Sequence, residues 1–133
     1  MSTMQLDIVT PERKVYSEQV EMVIARAEEG DIGILPHHAP YVSPLKVTAA
    51  KVKKDGEEFF VAISGGFIEV RENTVTILAE TAEMPGEIDI ERAESAKRRA
   101  EERLADHKQE HVDFKRAEIA LQKAITRLRV GKS

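Results

Sequence analysis

The feature that most narrows what this chain can fold into is a change of hydrophobic period at Glu87-Ile88-Asp89-Ile90-Glu91-Arg92-Ala93. Upstream, apolar residues recur about every second position. Downstream they recur near 3.6, so short strands give way to helix. Asp89 suits the cap of that helix, because its carboxylate can accept from backbone N–H groups left orphaned at a helix start. Pro85-Gly86 is turn chemistry, so the chain bends before it coils, and this pair is the expected hinge. The predicted organisation is a strand-built unit over 1–86 and a helical unit over 87–133.

Within the first unit, Met4 to Val9 alternates apolar and polar residues, and Thr10-Pro11 ends the run. Val20 to Ala27 is rich in β-branched residues and reads as a second strand. Glu28 to Asp31 is a turn, and Ile32 to Leu35 is an apolar run closed by Pro36. Leu45 to Val52 alternates again, then Lys53-Lys54-Asp55-Gly56 forms a hairpin loop into Phe59 to Ile63. Ser64-Gly65-Gly66 turns tightly before Phe67 to Val70, and Thr74 to Ala79 is the last strand. Many short strands with frequent turn signals predict an antiparallel sandwich or barrel.

The second unit reads as an antiparallel two-helix hairpin. Its first arm, about Ile90 to Lys108, carries a narrow stripe at Ala93, Ala96, Ala100 and Leu104. The second arm, about Val112 to Val130, carries Phe114, Ala117, Leu121, Ala124, Ile125 and Leu128 on one face. Asp106 to His111 is the expected turn. Alanines let the arms approach closely but bury little area, and at roughly 25 cal/mol per Å2 such a seam is weakly held. A weak seam can open.

Charge divides at the same joint. Residues 1–88 carry 8 Lys/Arg against 15 Asp/Glu, while residues 89–133 carry 12 against 9, within a net charge of −4. A basic helical arm on an acidic body suggests an acidic partner, and a solvated mixed-charge face fits as well. Cysteine is absent, which excludes disulfides and thiolate metal sites. No apolar run approaches the roughly 18 residues of a bilayer span. Met1-Ser2-Thr3-Met4 lacks the regions of a signal peptide, so a soluble protein of a reducing compartment is expected.

Other chemistry finds little support. His37 and His38 are adjacent in an extended loop and point to opposite sides, with no third ligand suitably spaced, so no metal site is expected. Gly65-Gly66 lacks the pattern of a phosphate loop, and Ser64 lacks triad partners. The near-balanced helix charge argues against nucleic acid.

Three stretches resemble one family in register. Gly30-Asp31-Ile32-Gly33-Ile34-Leu35-Pro36-His37-His38-Ala39-Pro40, Ser64-Gly65-Gly66-Phe67-Ile68-Glu69-Val70 and Val75-Thr76-Ile77-Leu78-Ala79 are similar to the epsilon subunits of bacterial F-type ATP synthases. The resemblance implies a sandwich of about ten strands followed by a helical hairpin. It implies a non-catalytic rotor subunit that couples gamma to the c-ring. Its hairpin would extend into the alpha and beta subunits of the head to block ATP hydrolysis. The location implied is peripheral, on the cytoplasmic face of the bacterial membrane, without insertion in the bilayer. Glu29, Asp31 and His38 would then face the rotor and c-ring.

Ile88-Asp89-Ile90-Glu91-Arg92-Ala93 further resembles the Ile-Asp-x-x-Arg-Ala pattern of bacillus-like members, whose epsilon subunit binds ATP. That resemblance assigns Ile88, Asp89, Arg92 and Ala93 to ATP, and in a folded hairpin Arg92 and Arg99, seven apart on one arm, and Lys123 and Arg127, four apart on the other, could all converge on one triphosphate. Glu83 would lie near the base or ribose and Asp89 at the adenosine end. The ligand would be regulatory ATP, with or without Mg2+. Lys123 departs from the family's arginine, keeping the charge but losing the planar fork. The alternative keeps the rotor role and drops the ligand, leaving a permanently docked hairpin.

Overall fold

A computed structural model describes residues 2–106 and 111–132, with the side chains of His111 and Val112 left aside. Eight strands come first: β1 (Met4–Val9), β2 (Lys14–Val20), β3 (Met22–Ala27), β4 (Gly30–Ile34), β5 (Tyr41–Pro44), β6 (Thr48–Lys54), β7 (Glu57–Arg71) and β8 (Thr74–Glu83). A 3-10 turn over Pro85–Glu87 leads to α1 (Ile90–Leu104) and α2 (His111–Lys132). The β-sandwich-then-hairpin class is the one expected.

The strands follow the order β2-β1-β8-β7-β6-β3-β4, with β5 also on β7. The 15-residue β7 joins the two layers: its first half pairs with β6 and its second half with β5, while β8 pairs along both halves. The pairing skips Gly65 without a shift of register, and Gly65 and Gly66 take positive φ of 68 and 126 there. What the sequence reads as two strands and a turn is therefore one bent strand, and the sandwich has eight strands where the resemblance implied about ten. Every pair is antiparallel except β1 with β8. Between the layers lie Leu6, Ile8, Val23, Val61, Ile68 and Ile77, all wholly buried. They are the inward residues of period-two alternation, the best-marked being the buried-intermediate repeat of β1.

β2 and β5 escape sequence reading because Lys14–Val20 is mostly polar and Tyr41–Pro44 ends in proline. Val20 closes β2, and the chain bends at Glu21 before β3 begins. Phe59 packs against Tyr16 at 5.6 Å between ring centroids. The Tyr16 hydroxyl is buried without a hydrogen-bond partner among the described residues. Burial, then the neighbouring Glu18 charge, pushes its pKa up to about 12. An unfolded tyrosine ionises near pH 10. This contribution to stability is therefore whole below about pH 10 and falls as pH rises towards about 12. Tyr16→Phe is expected to flatten that loss and to be neutral or stabilising by up to about 1 kcal/mol at pH 7. Denaturant unfolding at both pH values checks it.

Asp89 caps α1 as expected, its Oδ1 accepting from the Arg92 N–H at 3.1 Å. α1 stops at Leu104, short of the expected Lys108, with Ala105 as C-cap. The expected turn falls mainly on residues 107–110, outside those described. Ala93, Ala100, Ala117 and Ala124 are buried to 2% or less, so the seam is the alanine one anticipated. The wider apolar face of α2 is not: Phe114 and Ile125 are 39% and 41% exposed.

Candidate functional site

α2 lies against β6 and β7, and three contacts fix its C-terminal half. The Arg129 guanidinium sits 4.8 Å over the Phe60 ring. Lys132 pairs with Glu94 of α1 at 3.0 Å. Arg127 donates from Nε to Glu83 Oε1 at 2.7 Å and from Nη2 to Oε2 at 3.1 Å. This last fork ties the end of β8 to α2, and its side chains are only 26% and 29% exposed. A bidentate pair so sheltered outranks the more exposed Arg13–Glu87 bridge at the joint.

The expected ATP-contacting residues divide into two groups. Glu83, Lys123 and Arg127 line one small cavity of about 50 Å3 with Thr126. Asp89 and Arg92 meet at the α1 cap, Ala93 is buried in the seam, and Ile88 packs beside Gly131 of α2. Arg92 and Arg99 are exposed, and their guanidiniums bond to no other described residue.

Helix geometry relates the two groups. In an antiparallel pair, the residue just before a seam residue turns to the same flank on both helices, since 100° per residue is traversed in opposite senses. Arg92 and Arg99 precede Ala93 and Ala100, and Lys123 precedes Ala124. Arg127 stands one turn beyond Lys123. All four cations thus share one flank of the hairpin, and the carboxylate of Glu83 already occupies the fork of one of them. The cavity itself, about 50 Å3, is far below the roughly 300 Å3 of a small-ligand pocket, so it does not by itself enclose a ligand of nucleotide size.

Glu29 and Asp31 sit together and exposed at the β3–β4 turn, where Asp31 faces Arg26 at 3.4 Å. His38 lies beyond the other end of β4, roughly 13 Å along the strand. Its Nδ1 donates to the Ala39 carbonyl at 2.7 Å and its ring meets Tyr41 edge-on. Asn73 steadies this loop, accepting from the His37 N–H at 2.8 Å and donating to the Thr3 carbonyl at 2.9 Å.

One surface was not anticipated from the sequence. Register places Val9 beside Leu78, Leu78 beside Phe67 and Phe67 beside Pro44, an apolar row across four strands on the outer face. Phe67 and Leu78 are 53% and 52% exposed, and Val42 on the same face is 65% exposed. The signal was present in Phe67-Ile68 and Ile77-Leu78, where both faces of a strand are apolar.

Comparison with known proteins covers both units. Residues 3–85 match the family described as the ATP synthase delta/epsilon chain, beta-sandwich domain, and residues 87–132 match its long alpha-helix domain. The chain is 55% identical to the ATP synthase epsilon chain of Halalkalibacterium halodurans over 98% of both chains. It is 57% identical to that of Bacillus cytotoxicus, again over 98% of both. Among solved structures it is similar to a chain of the Euglena gracilis mitochondrial ATP synthase, in an assembly of OSCP, F1 and c-ring. The TM-score there is 0.81, with 25% identity over 95% of this chain and 79% of that one.

Proposed function

This chain belongs to the ATP synthase delta/epsilon family as an epsilon subunit, a non-catalytic part of the central stalk, and from that premise we propose that its hairpin senses ATP and brakes hydrolysis. The observation that carries the reading is the shared flank of Arg92, Arg99, Lys123 and Arg127, with Glu83 holding Arg127 in bidentate geometry. A triphosphate offers that fork the same paired oxygens that a carboxylate does. Without an anion only Arg127 has a carboxylate partner among the described residues, and the charges of Arg92, Arg99 and Lys123 repel across the weak alanine seam. With ATP they are neutralised, so the nucleotide favours the closed hairpin by mass action. Opened, the basic helices would reach the alpha and beta subunits and block hydrolysis.

The apolar row through Phe67 and Leu78 suits the gamma subunit, and the loops around Glu29, Asp31 and His38 suit the c-ring. These contacts would hold the protein peripherally at the cytoplasmic face of the membrane. Among the described residues no helix is long and apolar enough to cross a bilayer. Phe67→Ser is expected to leave the isolated protein's stability within about 0.5 kcal/mol. Affinity for gamma should fall about tenfold or more, as read in a pull-down titration.

A permanently docked hairpin also has an observation in its favour, since the Glu83–Arg127 fork holds α2 without any nucleotide. Melting curves of the isolated protein separate the two readings. Sensing predicts stabilisation of about 2.7 kcal/mol at a hundredfold excess of ATP over its Kd. Permanent docking predicts no shift at millimolar ATP.

A further inference from the structure

A second hollow lies on the other side of α2, between that helix and β3 and β6. Its volume is about 370 Å3, within the range of small-ligand sites. Arg26, Lys51 and Arg129 line it, with Asp31 as its one carboxylate among the described residues. Gln122, Thr126 and Thr48 add polar atoms to the walls, and Ile125 adds an apolar edge. It adjoins a further hollow that brings in Lys46 and Lys115 against Glu118.

The cations here are unevenly committed. Arg129 is held in place by the Phe60 ring, so its guanidinium is positioned before any ligand arrives. Arg26 meets Asp31 at 3.4 Å with both side chains more than half exposed, a pair that contributes little in water. Lys51 pairs with Glu58 at 2.8 Å, outside the lining. The Lys46 side chain makes no ion pair with another described residue. Two planar guanidiniums beside a lysine are the donor set that matches phosphate oxygens.

We propose that this hollow is a second anion site, for a small phosphate-class polyanion such as inorganic pyrophosphate, separate from the flank assigned to ATP. Arg26 and Lys51 belong to the sheet, whereas Arg129 and Gln122 belong to α2. The site therefore exists only while the hairpin is docked, and an occupant stabilises docking through linkage. Asp31 and Glu58 offset Arg26 and Lys51 from the sheet side, and an anion in the hollow would add a bridge from them to Arg129 of α2. A long acidic peptide fits less well, because Glu118 interrupts the basic lining of the adjoining hollow.

The test is titration of the full chain with inorganic pyrophosphate at low salt, read by calorimetry and by amide NMR shifts on β3, β6 and α2. Saturable binding is expected, weakened about tenfold in Arg26→Gln and in Arg129→Gln. Arg92→Gln combined with Arg99→Gln should leave it unchanged. Arg26 stands on β3 and takes no part in the Arg127–Glu83, Lys132–Glu94 or Arg129–Phe60 contacts, so unchanged α2 amide shifts in unliganded Arg26→Gln separate a loss of binding from undocking. No saturable binding up to about 10 mM overturns the proposal. So does binding that survives Arg26→Gln yet is lost with the Arg92 and Arg99 pair, which would place pyrophosphate at the ATP flank. A glutamate-rich peptide that binds where pyrophosphate does not also overturns it, making the hollow a peptide groove.

Discussion

Gly66→Ala is expected to destabilise the sandwich by more than about 3 kcal/mol, the largest effect of a methyl added at any of the glycines. Gly66 sits at φ 126, a conformation that L side chains rarely adopt. A Cβ there would overlap the Leu78 carbonyl oxygen and lie 2.9 Å from the Ala79 Cα. The neighbours cannot yield. Gly66 is in register with Ala79 in the β7–β8 ladder, and its carbonyl accepts from the Leu45 N–H at 2.8 Å. Strain and overlap therefore act on the position where β7 passes from one layer to the other. Denaturant unfolding measures the loss, and Gly56→Ala is the control. Gly56 also has positive φ but nothing within 4 Å, so strain alone should cost about 1 kcal/mol there. Equal losses at the two sites would show that the bend contributes nothing special.

Lys123→Arg is expected to tighten ATP binding about fivefold to tenfold. Lys123 is exposed, and its ammonium pairs with no described residue, so the substitution disturbs no packing. Lysine presents a point charge, whereas arginine presents a fork that can grip two phosphate oxygens at once. Arg127, one turn further along α2, already displays that grip on Glu83. Competition titration against a fluorescent ATP analogue reads the change. An unchanged affinity would remove Lys123 from the phosphate set while leaving Arg127 in it.

Legibility in the sequence followed the strength of each local signal. The period switch, the Asp89 cap and the alanine seam were readable because each rests on residues whose chemistry acts within one helical turn. β2 and β5 were not, since Ser17, Glu18 and Gln19 carry no apolar alternation and are strand only through pairing with β1. The bend at Gly65-Gly66 looks the same in sequence whether the chain turns back or merely kinks, and only the partner strand decides. At the candidate site, Arg92 and Arg127 could be named from their spacing and the family pattern. The Glu83 carboxylate closing on Arg127 depends on how α2 docks, a tertiary fact with no local mark. Phe60 beneath Arg129 was hidden for the same reason.

Calorimetric titration of the isolated protein with ATP, repeated on Arg92→Ala and Arg127→Ala, tests nucleotide sensing most directly. Saturable binding in the native chain that is lost in both variants is the expected result, placing the triphosphate between the two arms. Undiminished binding in both variants would contradict that placement. No heat at millimolar ATP would contradict sensing itself, leaving a stalk subunit whose hairpin the Glu83–Arg127 fork keeps docked.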